Sequence, residues 1–226
     1  MNLQLIYRYL RRTIKLKWHN YRNKRYWTKY YKSHRDMAEP SDFAKYCVEK
    51  YLNRENKNLL ELGCGNGRDA NYFVKNGLNV LGLDIVCEEI NYLQKKRISD
   101  KILFKCTDFS MYSKPNFYDY IYSRFTIHAI TEEQETLTLE NSYKNLKAGG
   151  LILIEARSIK DEMFTKSTKL SENEGETDHY RRFLVFDKFT EKIKRAGFEI
   201  IEAIEAQGLA KYKDEDPFII RVIAKK

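Results

Sequence analysis

Proline is scarce in this chain, with three residues in 226. That composition excludes proline-rich linkers and polyproline segments and leaves long stretches free for helix and strand. Cysteine is nearly as rare. Cys47, Cys64, Cys87 and Cys106 are widely spaced and form no CxxC pair, so neither a zinc knuckle nor an iron–sulfur site is supported. No metal site is expected, and reduced, buried thiols in a cytoplasmic protein are the simplest expectation. No apolar run is long enough to span a bilayer, and Leu3-Gln4-Leu5-Ile6 is too short for a signal-peptide core. The most local deficiency is of negative charge. Residues 1–35 contain eleven Lys or Arg and no Asp or Glu, so the formal charge of +9 arises there. The other thirty basic residues face thirty-two acids. Strong basicity is thus regional, which argues against a generally nucleic-acid-coating protein.

What the chain does have is glycine at a telling spacing. Leu59-Leu60-Glu61-Leu62-Gly63-Cys64-Gly65-Asn66-Gly67 joins an apolar strand end to three alternate glycines, and a helical pattern starts at Arg68. Such a loop lets backbone pass close to a bulky ligand. Seventeen residues after Gly67, Asn79-Val80-Leu81-Gly82-Leu83-Asp84 reads as a second buried strand ending in an acid that can accept from two ribose hydroxyls. A dinucleotide loop would want glycine where Arg68 stands.

The alternate glycines, with Asp84 and with Asp108-Phe109 after a third strand at 101–106, resemble class I S-adenosylmethionine-dependent methyltransferases over about residues 40–226. The resemblance implies an α/β, Rossmann-like fold: a seven-stranded, mostly parallel sheet with an antiparallel last strand, and helices on both faces. It implies S-adenosyl-L-methionine as cofactor, held by Glu61, Gly63, Gly65, Gly67, Asp84, Ile85, Asp108, Phe109 and Ser123. Trp27 and Tyr31, four residues apart beside Tyr30, resemble a helix that closes over this cofactor; packing on the next helix is the plainer alternative. Further strands are expected at 118–123, 150–155, from 197, and at 217–224. Ser41 is expected to cap one helix, Thr131-Glu132-Glu133-Gln134 to open another by a capping box, and Gly149-Gly150 to close it.

The chain therefore divides into a basic, aromatic-rich helical extension or lid (1–38) and a methyltransferase domain (39–226), with a polar insertion at about 157–183 expected over the cleft. Leu3, Ile6, Leu10, Ile14, Trp18 and Tyr21 recur at helical steps. Through residues 1–25 this basic helix suits peripheral contact with the inner face of a membrane or with a partner protein; packing on its own domain is the alternative, and nucleic acid is disfavoured for want of an RNA-binding motif. For the acceptor, Arg124, Arg157, Tyr180, Arg181 and Arg182 are candidates to converge on an anion, with His128 first and His179 second as general base. The same arginines could instead pair internally with Glu155, Asp161, Glu162 or Asp178, and the histidines could be structural. No Pro-Cys dipeptide and no Asn/Asp-Pro-Pro-aromatic run is present, which disfavours cytosine-C5 and DNA-amino chemistry. A small-molecule or glycan oxygen, as in surface-polysaccharide assembly, is the expected acceptor. RNA methylation and a non-catalytic binding module are the alternatives.

Overall fold

The computed structural model describes residues 22–35, 39–52 and 56–226. Most of the basic front end, residues 1–21, lies outside the described residues. Among the described residues no helix is long and apolar enough to cross a membrane.

Seven strands form one sheet: β1 (Asn58–Leu62), β2 (Asn79–Asp84), β3 (Ile102–Cys106), β4 (Tyr118–Arg124), β5 (Leu146–Arg157), β9 (Glu199–Ala206) and β10 (Ile219–Lys225). Their order is β3-β2-β1-β4-β5-β10-β9, and β10 runs antiparallel between β5 and β9. Side chains alternate across a strand, so Leu59 and Leu60 point to opposite faces and belong to different cores. On one face α2 (Asp42–Lys50), α3 (Arg68–Lys75) and α4 (Cys87–Lys96) bury Phe43, Phe73 and Ile90. On the other, α5 (Glu132–Asn145) and α7 (Phe186–Arg195) bury Leu139, Phe189 and Ile193. A sheet covered on both faces explains why β5 and β10 read as nearly continuous apolar runs.

Helix starts follow the local chemistry. Ser41 Oγ accepts the Ala44 N–H at the head of α2, and Thr131 with Gln134 forms the full capping box of α5. The expected glycine cap of α5 is not found. The helix ends at Asn145 with Leu146 as C-cap, and Gly149, at φ +76°, sits inside the first part of β5. There its N–H bonds to Lys226 O at 3.0 Å. Glycine answers a bend in the strand, not the end of the helix.

Two further expectations change. The insertion is not a bare loop: α6 (Glu162–Lys166) is followed by a three-stranded sheet of β6 (Thr168–Lys169), β7 (Glu174–Glu176) and β8 (Tyr180–Arg182). Strands of two or three residues carry too little alternation to be read from sequence. The thiols also differ. Cys47 and Cys64 are free and buried, whereas Cys87 and Cys106 form a disulfide. Nineteen residues separate these two, but β2 and β3 are parallel neighbours with Asp84 opposite Cys106, which brings the start of α4 to the end of β3.

Candidate active site

Between β1 and β4 the order of strands reverses, the place where open α/β sheets bind ligands beyond their C-terminal strand ends. A cleft opens there. Its space of about 1050 Å³ includes open solvent at the mouth.

The glycine loop forms one wall. Gly63, Gly65 and Gly67 have φ of +71°, +53° and +74°. A Cβ at Gly63 would stand 2.5 Å from Thr126 Oγ1, so side chains are excluded by space as well as by backbone. Asp84 ends β2. Its Oδ1 accepts the Val86 N–H at 2.9 Å and its Oδ2 the Gly65 N–H at 3.1 Å, so the acid ties the loop to the second strand. Burial raises its pKa, and these N–H groups oppose that rise. Glu61 lies deeper, 4% exposed, and its Oε2 has no hydrogen-bond partner. Burial and nearby Asp69 push its pKa well up, while Arg68 lowers it. An orphaned buried carboxylate oxygen beside a cleft is costly unless a ligand completes it. Ile85 and Phe109 line the far end.

Residues 22–33 form a helix, α1, that supplies the opposite wall through Asn23, Trp27, Tyr30 and Tyr31. Trp27 and Tyr31 share a face as expected, their rings stacked 5.7 Å apart. Asn23, one turn before Trp27, was not singled out from the sequence although the same i, i+4 spacing points to it. The exit of β4 completes the cleft with Arg124, Phe125 and Thr126, then Ala129 and Ile130. Phe125 holds φ +53°, which a bulky side chain seldom adopts; its N–H is held by Glu155 O at 2.8 Å.

Several residues expected in the site stand elsewhere. Asp108 caps a 3₁₀ turn: its Oδ1 accepts from Ser110 N and Oγ, and its Oδ2 from Gln134 Nε2 at 3.3 Å, outside the cleft lining. Ser123 is fully buried on β4 and does not reach the cleft. His128 is buried behind Phe125, with Nδ1 accepting the Arg157 N–H at 3.3 Å. Burial and the neighbouring Arg157 hold its pKa well below the ordinary histidine value. It lines no part of the cleft, which speaks for a structural role. His179 is buried too, its ring stacked on Tyr26 at 4.1 Å and edge-on to Trp27 at 4.8 Å. Its Nδ1 lies 3.0 Å from Asp178, yet neither ring nitrogen makes a well-aligned hydrogen bond.

The arginines do not converge. Arg157 pairs with Asp161 and Glu215, Arg181 with Asp178, and Arg182 with Glu135. None of the three, nor Tyr180, which donates to Glu174, lines the cleft. The insertion therefore buttresses α1, through Arg22–Glu176 and Tyr26–Asp178, without itself covering the cleft. Arg124 does line it, and it shares the buried Glu155 carboxylate with Arg221, two cations on one anion. Arg68, read from the sequence only as a missing glycine, is a second cleft cation. Its nearest acid is Asp69 at 3.9 Å, whose oxygens already accept from Ser41 and Tyr122. Among the described residues no cluster of His, Cys, Asp and Glu could hold a metal ion.

Comparison with known proteins agrees with this geometry. Residues 31–203 match the family described as methyltransferase domain. An uncharacterized methyltransferase of Bacillus cytotoxicus is 23% identical over 168 residues, 70% of this chain and 79% of that protein. Among solved structures, an S-adenosylmethionine-dependent methyltransferase of Mesorhizobium loti superposes with a TM-score of 0.66 at 16% identity, covering 81% of this chain and 98% of that one. The 1,6-didemethyltoxoflavin-N1-methyltransferase of Burkholderia thailandensis, solved with 1,6-didemethyltoxoflavin and S-adenosylhomocysteine, gives 0.72 at 15% identity over 93% and 90%. With its sheet order, its glycine loop and a match over most of its length, the chain belongs to the methyltransferase-domain family.

Proposed function

We propose that this methyltransferase takes its methyl group from S-adenosylmethionine and transfers it to an ionised oxygen of a small anionic acceptor. The observation that carries the reading is the pairing, on one cleft wall, of an incompletely bonded carboxylate at Glu61 with the sparsely paired guanidinium of Arg68. An amino-acid end carries an ammonium and a carboxylate side by side, the complementary set. Asp84 would take the ribose hydroxyls, Ile85 and Phe109 the base, and the glycine loop the chain between. The cofactor supplies an electrophilic methyl on a sulfonium centre.

The protein's part is then alignment and exclusion of water, from which most of the rate of an in-line displacement can come. Among the described residues the lining of the acceptor half holds Asn23, Trp27, Tyr30, Arg124, Phe125, Ala129 and Ile130, with no histidine. Burial raises the pKa of Tyr30, so it stays protonated. With no base among the described residues of this lining, an acceptor oxygen that arrives deprotonated fits best, and Arg124 supplies the complementary charge. A neutral sugar hydroxyl fits this lining less well than a carboxylate or an acidic phenol. The aromatic rings of Trp27, Tyr30 and Phe125 favour a second reading, methylation of a ring nitrogen in a flat heterocycle, the chemistry named for the Burkholderia neighbour.

A labelled-methyl screen tests this. Small carboxylates, acidic phenols and phosphorylated metabolites are offered beside neutral glycans and heterocycles, and label is expected in an ester or ether of the anionic set. Label only in neutral glycans would refute the acceptor class.

A further inference from the structure

We infer that α1, docked as it is here, blocks its own cofactor site through Tyr31 and must lift before S-adenosylmethionine can bind. The inference rests on the cofactor reading above. The Tyr31 hydroxyl stands close to Asp84, the acid assigned to the ribose. Its ring abuts the glycine loop: a Cβ built on Gly65 would meet Tyr31 Cε1, the hydroxyl oxygen and Cζ at 3.0, 3.1 and 3.3 Å. These are the places the ribose and the methionine chain need. Asp84 already accepts the Gly65 and Val86 N–H groups, so little of its acceptor capacity is left and the approach to it matters. A sugar and this phenol cannot share the space above Gly65.

The helix is held down by polar contacts, Arg22 with Glu176, Tyr26 with Asp178, Asn23 Nδ2 to Ala129 O at 3.0 Å, Lys32 with Glu88 at 3.0 Å and Arg35 with Glu89 at 3.0 Å, and by the packing of Tyr26 and Trp27 on His179. Lys32–Glu88 is exposed on both sides, and pairs of that kind contribute little. At the other end Asn66 Nδ2 donates to His34 O at 3.1 Å, so the glycine loop itself grips the end of the helix. Cofactor entry must break that grip. A molecule competent to bind for only a fraction of the time has its apparent Kd raised by the reciprocal of that fraction.

Calorimetry with S-adenosylhomocysteine on the full chain tests the plug. Tyr31→Ala is expected to lower Kd by about fivefold or more, and Tyr31→Phe, which removes only the hydroxyl, by a smaller factor. A weaker or unchanged affinity in Tyr31→Ala would make Tyr31 a ligand contact or a bystander and overturn the inference. The second measurement needs no change at Tyr31. In a Trp18→Phe background Trp27, stacked on Tyr31, is the sole tryptophan. On rapid mixing, its emission should change at a rate that levels off at high ligand concentration, set by the lifting of α1. A rate that climbs linearly throughout means the site stands open beforehand, and sinks the proposal. Asp84→Ala separates the two layers. If it abolishes binding while Tyr31→Ala also weakens it, only the plug fails. If no form binds S-adenosylhomocysteine, the cofactor reading fails and the plug with it.

Discussion

Replacing Arg68 by Gln should separate recognition of the two ends of the cofactor. Its guanidinium lines the cleft near Glu61 and Tyr30, is 18% exposed, and has one acid within reach, Asp69 at 3.9 Å. A charge-assisted hydrogen bond to a ligand carboxylate contributes about 1.5–3 kcal/mol, so its loss should weaken S-adenosylhomocysteine roughly 10- to 150-fold. A second effect adds to the first. Arg68 is the charge that, with the Ala70 N–H, opposes the upward push on the Glu61 pKa, so without it Glu61 protonates more readily and loses its charge for the ammonium. The deficit should therefore shrink as pH rises and Glu61 ionises again. 5′-Methylthioadenosine lacks the amino-acid end and should bind the wild type and the variant alike. Titration calorimetry of both ligands at two pH values reads the difference directly. Stability should change by no more than about 0.5 kcal/mol, since Arg68 makes one long ion contact. Equal losses for the two ligands, or no loss for either, would refute the assignment of Arg68 and Glu61 to the amino-acid end.

Glu155→Gln leaves the buried guanidinium of Arg221 and the partly buried one of Arg124 without their shared anion. Breaking such a set costs about 3–5 kcal/mol, visible as a lower urea midpoint, and a loss under 1 kcal/mol would mean that water reaches the site. A pH dependence follows from His128 and His179, whose pKa values are both lowered, chiefly by burial. The unfolded chain binds these protons first, so stability is complete above the ordinary histidine pKa near 6.5. It declines as pH falls below that value, by up to about 1.4 kcal/mol per pH unit for each histidine. Thermal melts from pH 8 to 5 check this, and His128→Gln should flatten the slope; an unchanged slope would show that His128 is not its source.

The sheet was legible because its central strands are buried on both faces: β2 stands where Asn79–Asp84 was read, and β4 and β10 lie within two residues of expectation. The loop Gly63–Gly67 and Asp84 were legible for a different reason, since close backbone approach leaves a glycine signature that needs no neighbour to interpret. Arginine roles were not. Arg124, Arg157 and Arg181 pair with Glu155, Asp161 and Asp178, three of the four acids named as partners for internal pairing, but which alternative prevails depends on distances that no local pattern encodes. Arg182 pairs with Glu135, 47 residues away on α5, which no reading of the insertion alone could supply. The same holds for Arg68, whose importance comes from what surrounds it in space.

The Cys87–Cys106 bridge has a consequence for handling the protein. It staples the turn after Asp84 to the strand leading to Phe109, so the Ile85 and Phe109 edges of the cleft form one covalent frame closing a separation of 19 residues. A loop of about that size restricts the unfolded chain by roughly 3 kcal/mol in the chain-entropy picture. Preparations kept in strong thiol reductant would lack this frame, so ligand affinities measured with and without reductant belong to two covalently different molecules.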